Sequence, residues 1–556
     1  MHSAWMRSIL LVLGMAVTVL VVGAYGKGPA ASNMGGDQTS AGQALPEGTM
    51  SDKAEIGSMG PGKVVEAETS EVSYTPTAAE IAAHEELMDA IEKHQPPPLG
   101  PHTTAGDVAP YGGPPTDVLA QPAPNDFTIF RQSLINSVCP ACAQSTVNEP
   151  SVANSGKYIV ETSNWNIAYS TTGGGTTITW LNQNPYSLSP GYCCDTQVIY
   201  SEDRDVFILM LLDYAGEGAA TNGITISVAR GTTPTTWCTY KFTGASFGEG
   251  STDTLDFPKI AISNNNLFLT WNDYPPSSGF RASGLARMPL DPISNCAGFS
   301  FNYLTRSNTE FTFALAQQPS AHDQFYWVSN WFLDGTTSGS NLRIFWWPDN
   351  SGTFHWATKA INAYTFGTVS CGSPNWCSRL DPRYESVVIT PAEYRAQANS
   401  AFAGDQILEV AGTAGPSGFS SGKNYVVYNY FKLNSLTYIG NDQTYSTTNN
   451  FAYPGCGVNQ KGYIGCALSQ GTNAPGGMIL LQDNVNPTQP WGFNFAVSGI
   501  SGASAWGDYN ETNPWNPSKG PFETVLWNVN GGTVQPYYIV WGRGTDTKAY
   551  TRWKAN

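Results

Sequence analysis

Acidic residues recur where short apolar segments of this chain begin. They are Glu149, Asp195, Asp256, Asp381 and Asp508. Two carboxyl groups facing each other across a sugar can hydrolyse a glycosidic bond, provided that its surroundings keep one of them protonated. We therefore take as candidate catalytic residues Asp195, Asp256, Asp381, Asp508 and the nearby Arg383.

Aromatic residues that follow Asn or Asp recur at the ends of the next apolar segments. They are Trp165, Tyr214, Tyr274 and Trp331. Aromatic faces stack on pyranose rings, while carboxylates and amides bond the sugar hydroxyls. These four residues and Glu149 are therefore candidate substrate-binding residues. Two alternatives stay open: the acids accept backbone N–H bonds where strands begin, or their clustered oxygens hold Ca²⁺.

These acids and aromatics belong to a sequence motif that recurs about seven times after residue 148. Each copy has an acid, a short apolar strand, a polar turn, a second apolar strand, and then Asn or Asp with an aromatic; residues 195–214 and 256–274 are clear examples. The repeats vary in length and each contains about four short strands. This pattern predicts an all-β, seven-bladed β-propeller, with six blades as the alternative.

The geometry of a propeller blade brings the two sets of residues together. In an up-and-down blade, the first strand starts at the end of the blade where the second strand finishes. The acids and the aromatics should therefore share one face of the ring. The sequence predicts an acidic funnel with an aromatic rim.

One segment of the repeat region resembles the Asp-box (BNR repeat) of the sialidase-like superfamily. Residues 167–180 keep Ser170, Thr177 and Trp180, with Thr172 in place of the Asp. The segment 505–515, AWGDYNETNPW, resembles the final blade of secreted bacterial members. The resemblance covers roughly residues 125–556 and implies a propeller with a glycan-related role, including glycoside hydrolysis.

The catalytic residues of true sialidases are not matched. Such enzymes need an arginine triad for the substrate carboxylate and a tyrosine activated by a glutamate. No arginine triad can be matched residue by residue. Tyr384 and Glu385 are adjacent, and neighbouring residues of a strand point to opposite faces.

The composition excludes two classes of partner. The formal net charge is −16, which argues against nucleic acid and against docking on anionic lipid. Arg7 followed by an apolar run over residues 9–22 predicts a secretory signal over residues 1–26. An uncleaved membrane anchor is the alternative. We expect a secreted, extracellular protein, with the periplasm or cell surface as other locations.

The remaining chain divides into two parts. Residues 27–125 are rich in Pro, Gly, Ala and Ser with few aromatics, which predicts a flexible spacer. A capping box at residues 77–80 predicts one short helix in it. Residues 126–556 are the predicted propeller domain. Within it, the strand 127–134 could complete the blade of the C-terminal strands and so remove the free edges of the ring.

The ten cysteines fit an oxidising compartment. Cys456 with Cys466 could link a hairpin, and Cys371 with Cys377 could close a short loop. The third predicted pair, between neighbouring repeats, is Cys238 and Cys296. The pairing of the remaining four stays open: Cys139, Cys142, Cys193 and Cys194.

The sequence as a whole predicts a monomeric, secreted propeller with a glycan-related role, whose partner is a glycan or cell-surface polysaccharide. It predicts no nucleic-acid partner and no membrane contact after signal cleavage. Ca²⁺ is the one cofactor that the acidic funnel suggests. A protein of another class, a non-catalytic binding or adhesion scaffold stabilised by Ca²⁺, is the alternative.

Overall fold

The structure is a computed structural model. It describes residues 45–70, 86, 127–135, 148–164, 167–170, 178–307, 310–317, 323–331, 338–365, 371–377, 383–391, 400–415, 422–485, 491–502, 506–507, 509–516 and 520–546. The chain divides into two units, Met1–Ala44 and Leu45–Asn556. All described residues belong to the second unit. The predicted signal segment and the capping box at 77–80 lie outside the described residues.

Within the described residues, five strands precede the repeat region. They are β1 (Met50–Lys53), β2 (Glu55–Met59), β3 (Lys63–Glu66), β4 (Thr69–Ser70) and β5 (Phe127–Leu134).

The strands that follow form consecutive antiparallel groups, each numbered here in chain order. Group 1 contains β6 (Ser151–Asn154), β7 (Ile159–Thr162), β8 (Ile167–Ser170) and β9 (Trp180–Gln183). Group 2 contains β10 (Tyr192–Ser201), β11 (Val206–Asp213), β12 (Gly223–Arg230) and β13 (Thr236–Phe242). Group 3 contains β14 (Thr254–Ile262), β15 (Asn266–Tyr274), β16 (Ala282–Pro289) and β17 (Phe299–Ser307).

The second half of the repeat region continues the series. Group 4 contains β18 (Glu310–Gln317), β19 (Gln324–Trp331), β20 (Ser338–Pro348) and β21 (Thr353–Thr365). Group 5 contains β22 (Ser386–Thr390), β23 (Ile407–Ala414), β24 (Tyr425–Lys432) and β25 (Thr437–Thr444). Group 6 contains β26 (Asn450–Val458), β27 (Ile464–Gly471), β28 (Gly476–Gln482) and β29 (Trp491–Val497). Group 7 contains β30 (Asn513–Pro514), β31 (Phe522–Asn530), β32 (Thr533–Arg543) and the early strand β5.

Helical structure in the described part is short. It comprises α1 (Pro185–Leu188), α2 (Leu290–Ser294) and 3₁₀ turns at Gly244–Phe247, Ser400–Phe402 and Gly544–Asp546. The prediction of an all-β chain is confirmed. Among the described residues, no helix is both long and apolar enough to cross a membrane.

The groups pack side by side through their faces, as the blades of a β-propeller do, and groups 4 and 5 are in addition joined into one sheet because β18 pairs in parallel with β22. The first strand of each group contacts the first strand of the next, from β6 with β10 to β26 with β30, and β31 contacts β6. Most strands are buried on both faces, as in the run VFILMLLD of β11, because each sheet lies between two others. The core accordingly lies between neighbouring groups, for example where Phe268 of β15 stacks on Phe325 of β19 at 3.8 Å.

The two ends of the repeat region meet in group 7. β5 pairs antiparallel with β32, with Arg131 opposite Val540, so the predicted pairing of first and last strands is confirmed. The Asn513 and Asn516 side chains of group 7 donate to the Val152 and Asn154 carbonyls of group 1, at 2.8 and 3.1 Å. These bonds join the last group to the first.

Residues 45–70, called the strap here, differ from the predicted flexible spacer. In chain order, β1, β2, β3 and β4 add to the outer edges of groups 4, 3, 2 and 1. A Cβ on Gly57 would lie 2.4 Å from the Phe301 ring, and one on Gly62 would lie 2.2 Å from the Cys238 sulfur. The spacer prediction is wrong for this stretch because edge strands are held by backbone hydrogen bonds and need few apolar side chains.

The predicted disulfides between Cys238 and Cys296, Cys371 and Cys377, and Cys456 and Cys466 are confirmed. The first ties β13 of group 2 to the segment after α2 of group 3. Among the four cysteines left open, the adjacent Cys193 and Cys194 are bonded to each other. The other two, at positions 139 and 142, lie outside the described residues.

Candidate functional site

A residue with left-handed backbone angles lies near the start of the first strand in most groups. Positive φ angles occur at Glu149, Asp195, Phe257, Thr312 and Tyr453. In groups 2, 3, 4 and 6 the pairing register shifts at this point, which defines a β-bulge. The structural repeat is therefore the bulge rather than an acid, since Asp256 precedes the left-handed Phe257.

The predicted acids that the structure describes are engaged at these bulges. Glu149 accepts from the Asn164 side chain at 3.0 Å, and the Asn164 oxygen accepts from the Asp195 backbone N–H at 3.0 Å. Asp256 accepts from the backbone N–H of Phe257 at 2.8 Å. The Asp256 bond matches the alternative in which acids accept backbone N–H bonds where strands begin. Residues 381 and 508 lie outside the described residues.

Two of the four predicted rim aromatics, Tyr214 and Tyr274, are packed inside the protein. Tyr214 and Tyr274 are each only 3% exposed, and Tyr274 packs edge-on against Phe280 at 5.8 Å. Trp331 ends β19, where its backbone pairs with Glu310, and residue 165 lies outside the described residues. These two tyrosines therefore expose almost no ring surface to a sugar.

A cavity lies instead among the first strands of groups 2 to 6 and the segment at the start of group 7. Its walls combine aromatic rings, amides and charged groups: Phe257, Phe313, Tyr384, Tyr509, Gln197, Gln317, Asn510, Asn513, Lys259, Glu385 and Glu511. Of the predicted catalytic and substrate-binding residues in the described part of the chain, none lines this cavity. Arg383 lies directly behind it, with its guanidinium 4.2 Å from the centroid of the Phe257 ring.

Glu511 is an acid of the cavity wall whose pKa is strongly raised. It accepts hydrogen bonds from the Ser151 hydroxyl and from Gln197, whose own oxygen accepts from the Ile260 N–H at 2.6 Å. Burial raises the pKa of Glu511 to about 7, against the charge of Lys259 and these hydrogen bonds, which lower it. A carboxyl with this pKa can donate a proton near neutral pH.

Lys259 and Tyr509 contact each other in the wall of the cavity. The Lys259 ammonium lies 2.7 Å from the centroid of the Tyr509 ring and 4.9 Å from that of Phe257. The Tyr509 hydroxyl bonds the backbone of Thr196 in β10. Cation–π attraction thus holds the ammonium against two rings.

Tyr384 and Glu385 both line the cavity, although strand alternation predicted that they would point to opposite faces. β22 begins at Ser386, so the alternation of strand residues does not apply to them. Glu385 accepts from the Thr413 N–H and hydroxyl, both at 2.7 Å. Tyr384 packs edge-on against Tyr364 at 6.2 Å.

The sequence did contain a signal for the cavity-lining residues. In groups 2, 3, 4 and 6 the residue two positions after the left-handed one faces the cavity: Gln197, Lys259, Ala314 and Gly455. In group 1 this position is Ser151, which bonds Glu511. Aligning the repeats on the bulge rather than on the acid would have found these positions.

One group of buried side chains brings metal-type donor atoms together among the described residues. It comprises Glu409, Cys456 and Cys466. The two sulfurs are joined in a disulfide, so neither is the thiolate that metals bind. Ca²⁺ prefers oxygen ligands, and this group does not fit it.

No protein-family model and no curated protein matches the chain. Among solved structures, an alpha-L-arabinofuranosidase from Fusarium graminearum superposes with a TM-score of 0.40 at 9% identity, covering 64% of this chain and 94% of that one. A Trypanosoma rangeli sialidase gives 0.34 at 7%, covering 62% and 54%. An ulvan lyase gives 0.31 at 11%, covering 61% and 81%.

Proposed function

We propose that the chain is a secreted carbohydrate-binding protein whose strand groups form one seven-bladed propeller with a sugar site in its central cavity. The observation that supports this most directly is the composition of the cavity wall. The ring of Phe257, which is partly exposed, stands beside the amides of Gln197 and Asn510. Aromatic faces with a few amides and carboxyls are the groups that recognise a polyhydroxylated ring.

Seven blades follow from the proposed ring. The first strands contact one another in series, and β31 of group 7 contacts β6 of group 1. Secretion is supported by the disulfides, since such bonds persist outside the cytosol. Asp381 and Asp508 stay candidate site residues, because their near neighbours Arg383 and Tyr509 lie at the cavity.

Glycoside hydrolysis is a second candidate function, favoured by Glu511. Because burial raises its pKa to about 7, Glu511 would be protonated below that pH and able to protonate a leaving oxygen. Glu385 is the second carboxyl of the cavity wall. The expected signature is release of reducing ends that declines as the pH rises above about 7 and is lost in Glu511→Gln.

A glycan array followed by calorimetry tests sugar binding. The wild type should retain one class of glycan, and Glu511→Gln should weaken the affinity by about tenfold. Glu202→Gln, on the exposed turn between β10 and β11, is the matched control and should bind normally. A wild type that retains no glycan would overturn the proposed site, as would unchanged binding by the Glu511 variant.

A further inference from the structure

The segment before β30 enters the centre of the repeat region as irregular chain. β30 itself spans only Asn513–Pro514. The preceding backbone lies directly against β26: a Cβ on Gly455 would be 2.0 Å from the Asn510 carbonyl oxygen, and one on Gly457 would be 2.2 Å from that of Thr512. The Asn510 side chain also donates to the Tyr453 carbonyl at 2.6 Å. Group 6 thus anchors this segment.

From that anchor, the Tyr509 side chain reaches towards groups 2 and 3. Its hydroxyl donates to the Thr196 carbonyl at 2.9 Å and accepts from the Thr196 N–H at 3.2 Å. Its ring meets Phe257 edge-on at 6.2 Å, with Lys259 against its face. Tyr509 is 4% exposed. One side chain therefore connects the last group to groups 2 and 3, past the first strand of group 1.

We propose that Tyr509 closes one side of the central cavity and limits it to the end unit of a saccharide chain. This inference rests on the proposed sugar site. Both hydrogen bonds of the hydroxyl go to backbone atoms of β10, which cannot rotate away as a side chain would. The walls away from the ring are formed by Phe313–Leu315 and Gln317 of group 4 and by Tyr384–Val387 at the start of group 5. A polysaccharide cannot thread through a cavity that is closed in this way, so recognition is end-on.

The experiment compares two probes made from the glycan that the array identifies. One is an oligosaccharide with free ends, and the other is the same oligosaccharide with a bulky cap on both terminal units. The wild type should bind the free probe at least about tenfold more tightly than the capped one. Tyr509→Ala removes the ring and should bring the two affinities within about threefold of each other.

Two further variants control for misfolding and for non-specific loss of packing. Phe257→Ala opens the same wall from group 3 and should also reduce the preference for free ends, even where Tyr509→Ala does not fold. Tyr537→Ala, on β32 away from the cavity, should keep the wild-type preference.

Equal binding of both probes by the wild type would overturn end-on recognition while leaving the sugar site standing. If folded Tyr509→Ala and Phe257→Ala still preferred the free probe over the capped one, the role assigned to this wall would be overturned. Failure of the wild type to bind either probe would instead overturn the proposed function.

Discussion

The Ser151 hydroxyl donates a hydrogen bond to the Glu511 carboxyl across the boundary between the first and last strand groups. The same hydroxyl accepts from the Val198 N–H of group 2 at 2.9 Å. The serine that bonds Glu511 in the cavity wall therefore also joins groups 7, 1 and 2. The same hydroxyl therefore takes part both in the cavity wall and in the contacts that join the last group to the first.

Ser151→Ala should affect stability and the cavity together. The Val198 N–H is buried, and losing its partner should lower the free energy of unfolding by about 1–3 kcal/mol. The lost hydrogen bond also lowered the pKa of Glu511, so that pKa should rise. Urea unfolding and the pH dependence of glycan binding measure the two effects. A variant with an unchanged pH midpoint would contradict the assigned bond.

Stability should fall as the pH rises from about 4.5 to about 8. Burial raises the pKa of Glu161 to about 8 and that of Glu523 to about 8, from an ordinary value of 4.5. In this window the unfolded chain has ionised these carboxyls while the folded chain keeps them protonated, so raising the pH favours unfolding. Above about 8 the contribution becomes constant.

Glu161→Gln isolates one of these groups. Denaturant midpoints at several pH values should show a shallower decline than in the wild type, with little change at the acidic end. Glu202→Gln, an exposed site, should follow the wild-type curve. An unaltered slope in Glu161→Gln would count against a buried, protonated Glu161.

Two glycines should fix the register of the strap. Gly57→Val must displace the Phe301 ring, and Gly62→Val must displace the Cys238 sulfur and the Tyr240 ring. Each should cost about 1–3 kcal/mol by overpacking and should increase hydrogen exchange across residues 50–66. Gly60→Val is the matched control, because a Cβ at that position would have no heavy atom within 4 Å. Equal protection from hydrogen exchange in all three variants would refute the idea that these glycines fix the register of the strap.

The disulfides should differ in their effect on stability. Cys238 and Cys296 are 58 residues apart, whereas Cys371 and Cys377 are 6 apart. A longer loop restricts the unfolded chain more, so replacing the first pair by serine should cost about 2 kcal/mol more than replacing the second. Urea unfolding of the two double variants gives the comparison. Similar losses for both pairs would contradict the loop-length explanation.

The strap is a segment whose structure amino-acid composition does not predict. Residues 45–70 lack the apolar side chains of a core, and Ile56 and Val64 are mostly exposed. Their strands form because the outer edges of groups 1 to 4 offer unpaired backbone groups. Those edges are assembled from residues far along the chain, so the segment itself carries only its two closely packed glycines as a sign.

The sequence by itself determined the strand repeat, the pairing of β5 with the C-terminal strands and three disulfides. These depend on local alternation and on the spacing of neighbouring strands. Only the tertiary structure decided which side chains face the centre. Glu511, Lys259 and Tyr509 come from groups 7 and 3, and their neighbours Ser151 and Thr196 come from groups 1 and 2. Their meeting depends on how the bulges of groups 2 and 3 orient those first strands, and the spacing of the acids along the chain does not show that direction.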